Sequence, residues 1–74
     1  MTAALITVHT PSPTGGRIVS VHRTGREEVL GLAHSDRDLV AFLEGAGLSD
    51  PEEVLDDPRW VEWQGSPAHR WPPD

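Results

Sequence analysis

Two tight connections set between β-rich runs constrain this chain more than any other feature. From Ala4 to His34 the sequence reads as three strands in an antiparallel meander. Gly25-Arg26 is a Gly-X pair of the kind that closes a two-residue type II′ hairpin, with glycine at the first, φ-positive position. That closure sets Thr24 opposite Glu27, Val21 opposite Leu30, Val19 opposite Leu32 and Arg17 opposite His34. The earlier connection, Pro11 to Gly16, carries two prolines that cannot donate to a ladder. Closing it with Thr10 facing Arg17 sets Val8 opposite Val19 and Ile6 opposite Val21. The two turns then agree on one apolar face: Ile6, Val8, Val19, Val21, Leu30 and Leu32. A one-residue slip would scatter that set over both sides of the sheet. The second face carries Leu5, Thr7, His9, Ile18, Ser20, His22, Val29, Gly31 and Ala33, too apolar for a purely solvated surface and too polar for a core.

A helix is expected next. Ser35 suits the N-cap, and Asp36 and Asp38 in the first turn complement the helix dipole. Leu39, Val40, Phe42, Leu43 and Ala46 recur at helical spacing, and Leu39, Leu43 and Ala46 with Phe42 make the stripe that covers the aliphatic sheet face. Gly47 ends the helix in the left-handed position, with Leu48 folding back as its hydrophobic cap. Asp50-Pro51-Glu52-Glu53 predicts a second helix of about two turns, capped by Asp50 with Glu53 closing a capping box. Asp57-Pro58 stops it. Residues 59–64 then read as a fourth strand, with Val61 and Trp63 on one side and Trp60 and Glu62 on the other. It should run parallel to the first strand and join that edge.

The expected fold class is therefore α+β, in the order β-β-β-α-α-β, with a helix packed on one face of the sheet. Residues 1–65 make a single domain. Residues 66–74 form a proline-rich tail expected to be extended or flexible. A chain of 74 residues buries only roughly 60% of its unfolded surface, which points to modest stability.

Composition narrows the function classes. There is no cysteine, hence no disulfide framework and no thiolate chemistry. No apolar run approaches a membrane span, and Met1-Thr2-Ala3-Ala4 lacks the features of a secretory signal, so a cytoplasmic protein is expected. Residues 1–26 hold three arginines and no acid, while residues 27–74 hold all twelve acids against three arginines, giving a net charge of −6. That acidity argues against general affinity for nucleic acid or an anionic membrane. The expectation is that the arginines pair with the acids. Every Lys/Arg position is arginine, a coding bias that suits the high-GC genome of a bacterium.

No motif for catalysis is present. None of the serines lies in a Gly-x-Ser-x-Gly elbow, and Gly15-Gly16 does not continue into a phosphate loop. His9 and His22 share the second face but fall near its opposite ends, and no histidine pair has metal-ligand spacing. A non-enzymatic protein without cofactor or metal is expected.

Trp60, Trp63 and Trp71 fall within twelve residues, beside Arg59 and Arg70. These residue types are enriched at interface hot spots. Trp63 is assigned to the core. Trp71, in its proline-flanked tail, is the hardest to bury. The leading expectation is a small regulator or accessory subunit that binds a protein partner, or itself as a homodimer. The contact residues are Trp60, Trp71, Arg59, Arg70, Leu5 and Ile18. Two alternatives are an acidic inhibitor or nucleic-acid mimic using Glu52, Glu53, Asp56 and Asp57, and a small-molecule or metal binder using His9 and His22.

Overall fold

The computed structural model describes residues 5–72. Four strands form one sheet in the order β3-β2-β1-β4: β1 Ile6–Pro11, β2 Arg17–Arg23, β3 Arg26–Ala33 and β4 Val61–Trp63. One helix, α1 Asp36–Gly45, crosses the sheet, and a single 3-10 turn occupies Pro51–Glu53. The α+β class follows. β4 lies parallel to β1 at the predicted edge, with Ile6 beside Val61 and Val8 beside Trp63.

The β1–β2 register is the expected one over its middle, Ile6 with Val21 and Val8 with Val19. At its end a bulge puts Pro11, not Thr10, opposite Arg17. Pro11 has no N–H to contribute, and the Ser12–Gly16 loop closes by its own bonds, Ser12 N to Gly16 O and Gly15 N to Ser12 O.

The β2–β3 hairpin differs from the expected register. Its loop is Thr24-Gly25, with φ +46° and +76°, rather than Gly25-Arg26. Two consecutive positive φ values define a type I′ turn, whose twist matches that of the strands. Arg23 therefore faces Arg26 and Val21 faces Glu28, until a bulge between Val19 and Ser20 shifts the ladder by one residue. Beyond it Val19 pairs with Gly31, Ile18 with Leu32 and Arg17 with Ala33. The consequence is an exchange of faces: Ala33 is buried, while Leu32 sits with Ile18 on the exposed side. The bulge has a tertiary cause. A Cβ on Gly31 would lie 2.8 Å from Phe42 Cζ, so the missing side chain leaves the bay that the α1 phenyl ring fills. Gly31→Ala is expected to cost about 1–3 kcal/mol through the displaced ring, read as a lower urea midpoint.

The core lies between sheet and helix. Ile6, Val8, Val19, Val21, Ala33 and Val61 pack with Leu39, Leu43 and Leu55 in one buried cluster. Ser35 Oγ accepts from Asp38 N, and Asp38 Oδ2 accepts from His34 N, so the start of α1 is capped in both directions. At the other end Leu48 N donates to Leu43 O and Gly47 N to Glu44 O, a Schellman closure with Gly47 at φ +99°.

The second helix shrinks to its 3-10 turn. Asp50 has φ +51° and makes no side-chain cap bond, whereas an N-cap needs extended backbone, so the capping box cannot form. What remains anchors through Leu55 and Pro51, both buried, before two further turns lead into β4.

Candidate functional site

The outer sheet face, away from α1, is where apolar side chains meet solvent. Ile18, Leu32 and Val29 are 36%, 37% and 63% exposed. The ladder makes them neighbours, since Ile18 pairs with Leu32 and Val29 with Ser20. Ser20 is buried in their midst, under His9 and Glu27. Its hydroxyl donates to Glu27 Oε2, which leaves His9 Nε2, 2.8 Å from Ser20 Oγ and 3.3 Å from Glu27 Oε2, to act as the donor. The hydrogen bond from Ser20 leads the causes that hold the Glu27 carboxyl below its ordinary pKa, with the charges of His9 and His22 adding to it.

Serine, histidine and glutamate in one cluster invite comparison with a hydrolytic triad. In a triad the hydroxyl gives its proton to one imidazole nitrogen while the acid holds the other. Here the hydroxyl gives it to the acid, and one nitrogen faces both partners. The cluster fastens three strands' side chains together and presents no activated nucleophile. Among the described residues no group of His, Asp or Glu is arranged to hold a metal ion.

A second polar cluster sits at the end of the inner face. Arg17 continues the inward alternation of Val19 and Val21 and has no exposed surface. Its guanidinium donates to five backbone carbonyls: His9 at 2.8 Å, Gln64 at 2.6 Å, Ser66 at 3.4 Å, Pro67 at 3.2 Å and Arg70 at 3.0 Å. The indoles of Trp63 and Trp71 stand 5.3 and 5.9 Å from its carbon, within cation–π reach. Burial lowers its pKa from the ordinary arginine value. The expected pairing of arginines with acids therefore fails at Arg17. It holds at Arg59, which bonds Asp57, while Arg23 donates to the Ala46 carbonyl.

Beyond the indoles lies His69, with Nδ1 2.6 Å from Asp36 Oδ2 and Nε2 2.6 Å from Asp56 Oδ1. Its ring meets Trp63 at 5.2 Å, and Trp71 Nε1 donates to Asp36 Oδ1 at 2.7 Å. The hydrogen bonds its ring donates to Asp56 and then to Asp36 raise its pKa above the ordinary histidine value.

The residues singled out in the sequence are thus distributed over three places. Ile18 is on the outer face, but Leu5 packs partly against the core. Trp60 is the exposed indole at 40%, whereas Trp71 is half-buried with its edge toward Trp63. Segment 66–72 contains no helix or strand and lies over Arg17. Arg59 and Arg70 are exposed. Pro11, Ser66, Arg70, Trp71 and Pro72 line an open hollow of about 370 Å³. Of the four carboxylates between Glu52 and Asp57, Asp56 is bound to His69 and Asp57 to Arg59.

Fold and site together define a small α+β domain, one described helix on a four-stranded mixed sheet, whose outer face carries Ile18, Val29 and Leu32. No described helix is long and apolar enough to cross a membrane. Compared with family models, curated proteins and solved structures, the chain matches none.

Proposed function

We propose that this chain is a non-enzymatic protein-interaction module, a small regulator or accessory subunit, that binds a protein partner or a second copy of itself through the outer face of its sheet. The observation that carries the reading is the cluster of Ile18, Leu32 and Val29, contiguous and exposed where the other large aliphatic side chains among the described residues are buried or half-buried. Solvating such a patch costs free energy that a partner's apolar surface recovers. Trp60, exposed beside the solvent-facing Arg59, extends the same surface chemistry toward the β4 edge. Of the C-terminal indoles it is the one free to contact a partner, because Trp71 is committed to Asp36 and Arg17. Acidic mimicry is less well supported, since two of its four carboxylates are already engaged within the chain.

The test is Ile18→Thr with Leu32→Thr, which removes apolar surface without setting two like charges opposite each other on the ladder. Both positions reach solvent, so the monomer should keep its circular dichroism spectrum and its unfolding free energy to within about 1–2 kcal/mol. Self-association measured by sedimentation, or binding to a partner captured from the host, should weaken by roughly 100-fold, the loss of two hot-spot side chains. Binding within twofold of the parent chain would remove the outer face from consideration.

A further inference from the structure

We propose that residues 66–72 are a strap that stays closed over Arg17 while His69 carries both ring protons, and that it opens when one is lost. The strap has no ladder or helix bonds, so side chains hold it. Among the described residues its polar attachments are the Arg17 bonds to the carbonyls of Ser66, Pro67 and Arg70, the Trp71 bond to Asp36, and the two bonds of His69, beside the ring contacts of Trp71 and His69 with Trp63.

His69 is the one attachment that titrates near neutrality. Its nitrogens approach carboxylates on separate elements, Asp36 at the start of α1 and Asp56 in the turn after Leu55. Only the imidazolium has two N–H donors. Neutral His69 would turn a lone pair toward a carboxylate at 2.6 Å, and the charge holding two carboxylates on one residue would be gone. The backbone sharpens the effect: His69 has φ +66°, a left-handed conformation that costs a non-glycine residue free energy and persists only while its contacts hold it. Asp36 transmits the loss, because its Oδ1 accepts from Trp71 while its Oδ2 accepts from His69.

The charged groups around the imidazole are Asp36 of α1, Asp56, Arg17 of β2 behind the shared Trp63 indole, and Arg70 of the strap with its side chain in solvent. Two acids in direct contact outweigh two cations, one behind an indole and one in solvent. A pKa raised on folding places the stabilisation below the ordinary histidine value of about 6.5 and removes it as pH climbs through the raised value. The strap is therefore closed below the raised value and opens as pH climbs above it.

Hydrogen exchange and nitrogen NMR on the intact chain test this between about pH 6 and pH 9. Trp71 Nε1–H, bonded to Asp36, and the Arg70 amide, bonded to the Pro67 carbonyl, should lose protection by at least about tenfold, after correction for base catalysis, along the His69 titration curve. Trp63 Nε1–H, bonded to the Leu55 carbonyl, and the amides of Val8 and Val19 should hold. In His69→Gln, Trp71 Nε1–H and the Arg70 amide should be open at both ends of the range, with no titration. Strap protection that survives full deprotonation of His69 overturns the proposal. So does simultaneous loss at Val8 and Val19, which would be global unfolding.

Discussion

Replacing Arg17 by alanine is expected to cost about 3–5 kcal/mol and to free segment 66–72 from the sheet. Each of the five guanidinium hydrogens has a backbone carbonyl to meet, four of them in the stretch from Gln64 to Arg70. No buried side-chain nitrogen or oxygen among the described residues lacks a partner, so this cluster is fully satisfied as it stands. A carboxylate partner could be mutated away together with the arginine. Backbone carbonyls cannot. An apolar substitute therefore leaves them facing each other without a donor, and the chain's remaining choice is to lift the strap into water and surrender the Trp63–Trp71 contact. A protein of this length holds roughly 4–11 kcal/mol in all, so the variant stands near the edge of folding.

Arg17→Lys and Arg17→Met separate charge from geometry. Lysine keeps the cation but offers three donors from one point and no planar face to the indoles, so it should recover only a minor part of the loss. Methionine fills similar space and should do no better than alanine at the strap. Urea unfolding gives the cost, and the Trp71 indole resonance reports whether the strap has left. A methionine variant unfolding at the parent midpoint would mean that the buried guanidinium contributes nothing net.

The parts of this fold written in local signals were legible. Ser35, Gly47 and Leu48 carry their capping roles in their own chemistry, and the β1–β2 pairing follows from alternation on both strands. The β2–β3 register was not, because Thr24-Gly25-Arg26 contains two possible two-residue loops. The choice between them depends on a bulge whose reason, the Phe42 ring over Gly31, comes from the helix beyond. The site was less legible than the fold. Arg17 finds carbonyls 50 and 53 residues away, and a carbonyl leaves no trace in residue identity. A charged residue in phase with Val19 and Val21 was the one available sign. For His69 even that was missing, since its two aspartates lie 33 and 13 residues off on elements of no fixed distance from the tail.

Leu43→Ala should cost about 3–5 kcal/mol, while Leu32→Ala should cost less than about 1. The two leucines distinguish the observed register from the one the Gly25-Arg26 turn would impose. Leu43 is wholly buried in the cluster with Ile6, Val8 and Val19, and removing its isobutyl group leaves a cavity that strands on one side and helix on the other cannot close. In a domain of this size each kcal/mol moves the melting temperature by roughly 4–8 °C, so the shift from Leu43→Ala is large enough to threaten folding at growth temperature. Leu32 packs beside Ile18 with more than a third of its surface in water, so its truncation gives up little in the monomer and registers instead in binding. Had Val19 faced Leu32, both variants would lose interior volume and their urea midpoints would fall together. Matched losses would therefore put Leu32 inside and assign the docking face to the wrong side of the sheet.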